Sequence, residues 1–215
     1  MPNINTFDYE KVSRENFNRA IARKKLDIIL KERLKTHDEG SVVVIKTPVE
    51  SYLETNISSV KSMVDNGYYG VYLSFQRPFK NISSIFEKNG INLEKIFVVD
   101  CASVFSDSVH EMNLHNVNMG SCFDVDIVVE KICKSLGFLK SNKKFVFVDS
   151  LSTLAIHKSL SETLLFSEYM INKVRRNKKD NVTFIFNIPK GLDKKRYFQN
   201  IDVYADEHIH LGLCS

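Results

Sequence analysis

Short apolar runs alternate with helical patterns along most of this chain. Five runs are rich in β-branched and aromatic residues and too short for helices, so each predicts a strand. They cover residues 42–45, 70–75, 96–100, 145–149 and 182–187. Residues 207–211 alternate between polar and apolar side chains, which predicts a last strand at a sheet edge.

Between the strands, apolar residues recur with helical spacing. Leu53, Ile57, Val60 and Val64 predict a helix over about 50–66. Similar patterns predict further helices at 12–34, 81–89, 125–136, 160–174 and 192–199. Residues 101–121 have weak periodicity, and a loop of about this length is unusual in a compact domain unless it is functional or partly helical.

This alternation predicts a three-layer α/β fold, with a mostly parallel sheet covered by helices on both faces. Ligands of such sheets bind at the carboxyl ends of the strands. The residues expected along that rim are 46–50, Gln76 and Arg77, Asp100 and Cys101, and Asp149 and Ser150.

Composition adds few constraints. The 215 residues are 43% hydrophobic and 26% charged, with a formal net charge of +4, which is too small to indicate nucleic-acid binding by itself. The four cysteines are widely spaced, and no apolar run or signal-peptide pattern predicts membrane insertion or secretion. We therefore expect a cytoplasmic protein with an N-terminal helical extension, 1–39, and one core domain, 40–215.

The turn after the first strand carries a pattern typical of a helix start. Thr47 is predicted to cap the helix, Pro48 suits its first position, and Glu50 falls where it could bond back to the Thr47 N–H. Residues 46–56 contain no glycine, and Glu50 and Glu54 place negative charge where an anion would sit. The turn therefore favours self-stabilisation over phosphate binding.

Three segments in order resemble the RecA/KaiC-like ATPases. Residues 145–152 (FVFVDSLS) resemble the family's Walker B strand, 70–78 resemble its second core strand, and 202–211 are similar to a late segment in which an Ala-Asp pair precedes a strand. The resemblance covers about 41–212. It implies a RecA-like P-loop NTPase fold, of archaeal type.

The departures from the family imply an inactivated member. Active members have a glycine-rich loop ending in Lys-Ser/Thr at 46–54 and a catalytic glutamate after the second strand, where this chain has Gln76 and Arg77. Only Asp149, the counterpart of the magnesium-associated carboxylate, is kept. The degenerate nucleotide-binding positions are Thr47, Glu50, Ser51, Gln76, Arg77, Asp149 and Ser150. No catalytic or metal-binding residue is assigned, and ATP and Mg²⁺ are not expected to bind tightly.

The resemblance favours a non-catalytic domain that acts through protein–protein contacts, in signal transduction or in assembly with active paralogues. A protein partner or a homo-oligomer is expected. The helix 12–34 either serves as the contact element or covers an interface and keeps the protein monomeric.

Two other hypotheses remain open. Nucleic-acid binding would use the basic residues 173–179 and Lys190, Lys194, Lys195 and Arg196, near Tyr197 and Phe198. A weak nucleotide-binding ATPase or altered metal-dependent enzyme would use His208 and His210 on one strand face, or His110 and His115 in the long loop.

Overall fold

The computed structural model describes residues 9–35, 40–105, 116–118, 124–176, 181–192 and 196–212. Within these ranges, side chains are not described for 9–19, 104–105, 116–118, 173–176 and 196–197. The α-helices are Tyr9–Arg33 (α1), Tyr52–Asp65 (α2), Phe79–Lys88 (α3), Ala102–Phe105 (α4), Val125–Phe138 (α5), Leu151–His157 (α6), Leu160–Arg176 (α7) and Arg196–Tyr204 (α8). The strands are Val42–Thr47 (β1), Tyr69–Ser74 (β2), Ile96–Asp100 (β3), Asn116–Asn118 (β4), Lys144–Asp149 (β5), Val182–Pro189 (β6) and Glu207–His210 (β7). Two 3₁₀ turns, Val49–Ser51 and Leu93–Lys95, precede α2 and β3.

The described strands form one seven-stranded sheet in the order β4-β3-β2-β5-β6-β1-β7. Every pairing between neighbouring strands in this sheet is parallel. The predicted parallel α/β fold is therefore confirmed, and β7 lies at an edge beside β1, as its alternating pattern indicates.

Each central strand contributes to two hydrophobic cores because successive side chains point to opposite faces of the sheet. Val42 and Val44 pack in one core with residues of α5 to α8. Val43 and Ile45 pack in the other with residues of α1, α2 and α3. These two helical layers and the sheet between them make up the predicted three layers.

The carboxyl-terminal half of α1 packs on the core. Leu30 and Leu34 are fully buried in the core that contains Val43, and the Ser58 hydroxyl of α2 donates a hydrogen bond to Asp27. Arg33 donates to the Glu207 side chain at 3.0 Å and to the His208 carbonyl at 3.2 Å, so α1 also contacts the edge strand. The division at residues 39 and 40 stays a prediction.

The segment 101–121, which was expected to be functional or partly helical, contains α4 and β4. Helix α8 begins four residues later than the helix predicted at 192–199. Helix α6 is absent from the helices predicted from the sequence, because Ser150, Ser152 and Thr153 are typical turn residues. Instead, the Ser150 hydroxyl accepts a hydrogen bond from the Thr153 N–H at 3.2 Å and caps α6. Within the described part of the chain, none of the helices has the length and apolarity needed to cross a membrane.

Candidate functional site

Asp149 lies at the centre of the rim formed by the carboxyl ends of the strands. Its side chain is fully buried at the end of β5. The Tyr72 hydroxyl donates to Asp149 Oδ2 at 2.5 Å, and the Tyr52 hydroxyl donates to Oδ1 at 3.2 Å. Arg77 Nη1 lies 3.7 Å from Oδ2. Both oxygens of this carboxylate therefore have partners within the chain.

Neighbouring strands place Tyr72 beside the carboxylate. Tyr72 pairs with Phe147 in the β2–β5 register, and its ring stacks on the Phe147 ring with 5.4 Å between the centroids. It also makes an edge-to-face contact with the Phe86 ring, at 5.0 Å between centroids. Because Asp149 is two residues after Phe147, it points to the same face of the sheet, where the Tyr72 hydroxyl reaches it.

Tyr52 reaches the other oxygen of the carboxylate from the start of α2. It is the first residue of α2, directly after the 3₁₀ turn, and its side chain is half-buried. Its hydroxyl lies 3.4 Å from the Asn187 carbonyl as well as 3.2 Å from Asp149. The start of α2 is therefore joined to the ends of both β5 and β6.

Burial dominates the protonation of this group. It raises the pKa of Asp149, whereas the hydrogen bond from Tyr72, the charge of Arg77 and the hydrogen bond from Tyr52 lower it. Burial and the nearby Asp149 charge raise the pKa of Tyr72 and Tyr52 well above the ordinary tyrosine range. Both phenols therefore stay protonated near neutral pH and remain hydrogen-bond donors.

The turn that follows β1 does not contain the predicted capping box. Thr47 is the buried last residue of β1, and its hydroxyl lies 2.9 Å from the Thr55 hydroxyl. The capping residues of the 3₁₀ turn and of α2 are Pro48 and Ser51, and neither makes a side-chain capping bond. The prediction was wrong because the 3₁₀ turn displaces the start of α2 to Tyr52. Glu50 is exposed within that turn.

The remaining predicted positions make contacts of their own. Arg77 Nη1 donates to the Gln76 side-chain oxygen at 2.8 Å, and Gln76 itself is exposed. Ser51 Oγ donates weakly to the Pro48 carbonyl at 3.4 Å. Ser150 follows Asp149 through a cis peptide bond and caps α6. The structure thus connects Arg77, and Gln76 through Arg77, to the Asp149 carboxylate, which is also held by tyrosines that the sequence did not single out.

Two asparagines continue the network from Tyr52 into the interior. Asn187 Nδ2 donates to Asn56 Oδ1 at 2.6 Å and to the Tyr52 carbonyl at 3.3 Å. Asn56 Nδ2 and Asn187 Oδ1 have no hydrogen-bond partner in the described part of the structure. The pattern of a strand followed by an amphipathic helix gives no signal for these residues, because their pairing depends on the contact between α2 and β6.

The histidines of β7 lie beside a carboxylate. The rings of His208 and His210 have centroids 6.2 Å apart, and His208 Nδ1 lies 3.6 Å from Asp202 Oδ1. The other oxygen of Asp202 accepts a hydrogen bond from Lys46 Nζ at 2.9 Å. The residues with described placement contain no group of three or more His, Cys, Asp or Glu side chains that could hold a metal ion. His110 and His115 lie outside the described residues.

The proposed nucleic-acid contacts are only partly described. Lys190 is exposed, but Phe198 is buried in the core and cannot stack on a base. The side chains at 173–180 and 193–197 lie outside those that the structure describes.

Comparisons with known proteins identify the fold. No protein family matches the chain by sequence, and no curated protein sequence does. An uncharacterized Pyrococcus horikoshii protein, PH0321, solved in complex with an unknown peptide, is 15% identical with a TM-score of 0.66 over 84% of this chain and 81% of that one. The KaiC-like protein PH0186 from Pyrococcus horikoshii OT3 is 16% identical with a TM-score of 0.58 over 80% of this chain and 71% of that one. At these identities the likeness concerns the fold alone, and the chain has the three-layer α/β fold of a RecA/KaiC-like domain.

Proposed function

We propose that this chain is a non-catalytic RecA/KaiC-like domain that acts through protein–protein contacts. The observation that carries the proposal is the engagement of Asp149 on both oxygens by Tyr52 and Tyr72, with Arg77 beside it. A carboxylate that assists magnesium must face water or the metal's hydration shell. Asp149 faces neither, because its side chain is fully buried.

The residues present do not suit Mg²⁺–ATP. A phosphate group is normally held by backbone N–H groups of a glycine-rich loop and by a lysine. Here the turn contains Pro48, which has no N–H to donate, and the exposed carboxylate of Glu50. No step of phosphoryl transfer can be built from this set.

A function in protein–protein contacts is supported by one of the solved structures with a similar fold. PH0321, a protein with the same fold, was crystallised with an unknown peptide. By analogy, we propose that this chain binds a protein partner or further copies of itself, in signal transduction or in assembly with active paralogues. We also propose that it does so in the cytoplasm.

Calorimetric titration with Mg²⁺–ATP, together with a phosphate-release assay, tests the proposal. We expect only the heat of dilution and no phosphate above the protein-free blank. The matched control is Asp149→Asn, which removes the charge and nearly preserves the shape. Saturable ATP binding at micromolar concentration, or phosphate release that Asp149→Asn abolishes, would contradict the proposal.

A separate titration with single-stranded DNA, at low and at high salt, tests the nucleic-acid hypothesis. We expect no binding that weakens steeply as salt is added, since that dependence identifies phosphate contacts.

A further inference from the structure

Two histidines of the edge strand lie on the same face of the sheet. His208 and His210 are two residues apart on β7, and successive side chains of a strand point to opposite faces. Ile209 between them packs in the core that contains residues of α1, so both histidines lie on the face that α8 covers. The centroids of the two imidazole rings are 6.2 Å apart, and their planes are inclined by 29°. The edge of the sheet therefore presents two imidazoles side by side.

A carboxylate determines which nitrogen of His208 carries the proton. His208 Nδ1 lies 3.6 Å from Asp202 Oδ1 on α8, about half an ångström farther than in a normal N–H···O bond. Both atoms are buried, and neither has a hydrogen-bond partner among the residues that the structure describes. A lone pair on Nδ1 would face a carboxylate oxygen, which repels it. The neutral ring therefore carries its proton on Nδ1 and keeps the lone pair on Nε2, where a metal ion can bind.

The Asp202 carboxylate is itself held in place. Its Oδ2 accepts a hydrogen bond from Lys46 Nζ at 2.9 Å, and both side chains are largely buried. Metal-binding histidines almost always donate their other ring N–H to a carboxylate, a carbonyl or water, which fixes the tautomer and the orientation of the ring. Asp202 has this place relative to His208, so we assign it as a positioning residue and not as a metal ligand. This assignment agrees with the absence of a three-ligand group among the described side chains.

The charges around the two histidines do not oppose a cation. Lys46 pairs with Asp202, and Arg33 of α1 pairs with Glu207 at 2.9 Å, so a carboxylate neutralises each of these positive side chains. The exposed Asp206 just before β7 adds a further negative charge. The histidine pair is also separate from Asp149, because β6 and β1 lie between β5 and β7 in the sheet.

We propose that His208 and His210 together bind one divalent late transition metal ion, Zn²⁺ or Cu²⁺, with water in the remaining coordination positions. Neutral imidazole nitrogens suit these ions, whereas Mg²⁺ and Ca²⁺ prefer oxygen ligands. Because a Zn–N bond is about 2.0–2.1 Å long, the two coordinating nitrogens must come within about 4 Å of each other. His210 is exposed, so its side chain can rotate toward His208 to reach that separation. The proposal does not depend on the non-catalytic function proposed above.

Calorimetric titration of the full chain with ZnCl₂, CuCl₂ and MgCl₂ in a non-chelating buffer tests the proposal. We expect one Zn²⁺ per chain, tighter binding of Cu²⁺, and only the heat of dilution with Mg²⁺. His208→Gln and His210→Gln should each weaken zinc binding by about tenfold or more, since each removes one of two protein ligands. His157→Gln is the matched control, because His157 is an exposed histidine on α6 and lies outside the pair. It should leave the zinc affinity within about twofold of the original chain.

The role of Asp202 has a test that a merely structural effect would not pass. Asp202→Asn should weaken zinc binding by about tenfold, as the loss of an outer-shell partner does, while circular dichroism shows a folded chain. Nitrogen–proton NMR spectra of the histidine side chains identify the coordinating atom directly. We expect Zn²⁺ to shift the Nε2 resonance of His208, while Nδ1 of the same ring stays protonated.

Three results would overturn the metal site: no saturable heat with either Zn²⁺ or Cu²⁺, zinc binding that survives loss of both histidines, or an effect of His157→Gln as large as that of His210→Gln. The second result would assign the zinc to other groups, such as the cysteine thiols. Coordination through Nδ1 of His208 would overturn the role given to Asp202. None of these results involves ATP, so the failure of this site can be told apart from the failure of the non-catalytic proposal.

Discussion

The hydroxyl of Tyr72 offers the sharpest test of the site, because one atom can be removed while the ring stays in place. In Tyr72→Phe, the stacking on Phe147 and the edge contact with Phe86 are kept. The hydrogen bond to Asp149 Oδ2, at 2.5 Å between two fully buried side chains, is lost. The substitution therefore isolates the contribution of that bond.

The expected loss follows from burial and from the partners that remain. A hydrogen bond to a charged group contributes about 1.5–3 kcal/mol. After the substitution, water does not reach the buried Asp149 Oδ2 to replace the lost donor. Tyr52 still donates to Oδ1 at 3.2 Å, and Arg77 remains 3.7 Å from Oδ2, so part of the carboxylate stays satisfied. We expect the free energy of unfolding to fall by about 2–3 kcal/mol, which corresponds to a melting temperature lower by about 4–12 °C in a chain of this size.

Urea unfolding followed by circular dichroism measures this loss. Tyr69→Phe makes the same chemical change on the same strand, at a half-buried ring whose face is covered by the Lys95 ammonium group at 5.6 Å. That control should stay within about 0.5 kcal/mol of the original chain, as surface substitutions usually do. If Tyr72→Phe is no more destabilising than Tyr69→Phe, then Tyr72 does not hold Asp149 and the site is not closed as described.

Three further predictions concern the same sheet and its edge. Gly70→Ala should lower the free energy of unfolding by about 1–3 kcal/mol, because a Cβ there would lie 2.3 Å from the buried Phe145 ring on β5. Gly137→Ala in α5, where a Cβ would have nothing within 4 Å, should instead raise it by about 0.5–1 kcal/mol. Equal effects of the two substitutions in urea unfolding would contradict this packing. The raised pKa of Asp149 in the folded chain should make stability fall as pH rises from the unfolded pKa, near 4, toward the folded pKa, and then level off. Asp149→Asn should remove this dependence of stability on pH. If the slope persists in the variant, another group causes it. Lys46→Met should cost about 1–2 kcal/mol in chemical unfolding, since it leaves a largely buried Asp202 without its 2.9 Å ion pair, and a neutral result would mean that solvent replaces the lysine.

The strands could be predicted closely from the sequence because a strand of a parallel sheet is buried on both faces. Val42–Thr47 and Lys144–Asp149 are apolar along most of their length, and they have no helical periodicity with which to be confused. The edge position of β7 could also be predicted, because its residues alternate between polar and apolar side chains. These are local patterns, and the sheet needs little else to be recognised.

Helix starts were less predictable, because the same residues serve as caps and as turns. Thr47, Pro48 and Glu50 fit a capping box by spacing, but a short 3₁₀ turn moves the start of α2 beyond their reach. Ser150 fits a turn by type and instead caps a helix. A shift of three or four residues reverses the assignment, and no local pattern fixes it.

The partners of Asp149 could not be predicted from one sequence, although Asp149 itself could. Its position at the end of an apolar strand marked it, whereas Tyr72 looked like an ordinary aromatic strand residue and Tyr52 like part of a helix start. Their convergence depends on the strand order, in which β5 lies between β2 and β6. That order is a property of the whole fold and has no local signature.

A carboxylate that is buried and hydrogen-bonded by two tyrosines and a carboxylate that binds magnesium are two alternative arrangements of Asp149. Magnesium binding requires an ionised group with an accessible oxygen, whereas burial raises the pKa of Asp149, and Tyr52 and Tyr72 each donate to one of its oxygens. Supplying a lysine or glycines to the turn after β1 would not open this site, since the obstruction comes from α2 and β2 as well. The proposed absence of magnesium binding therefore rests on the packing of three elements around one carboxylate, and not only on the residues of the turn.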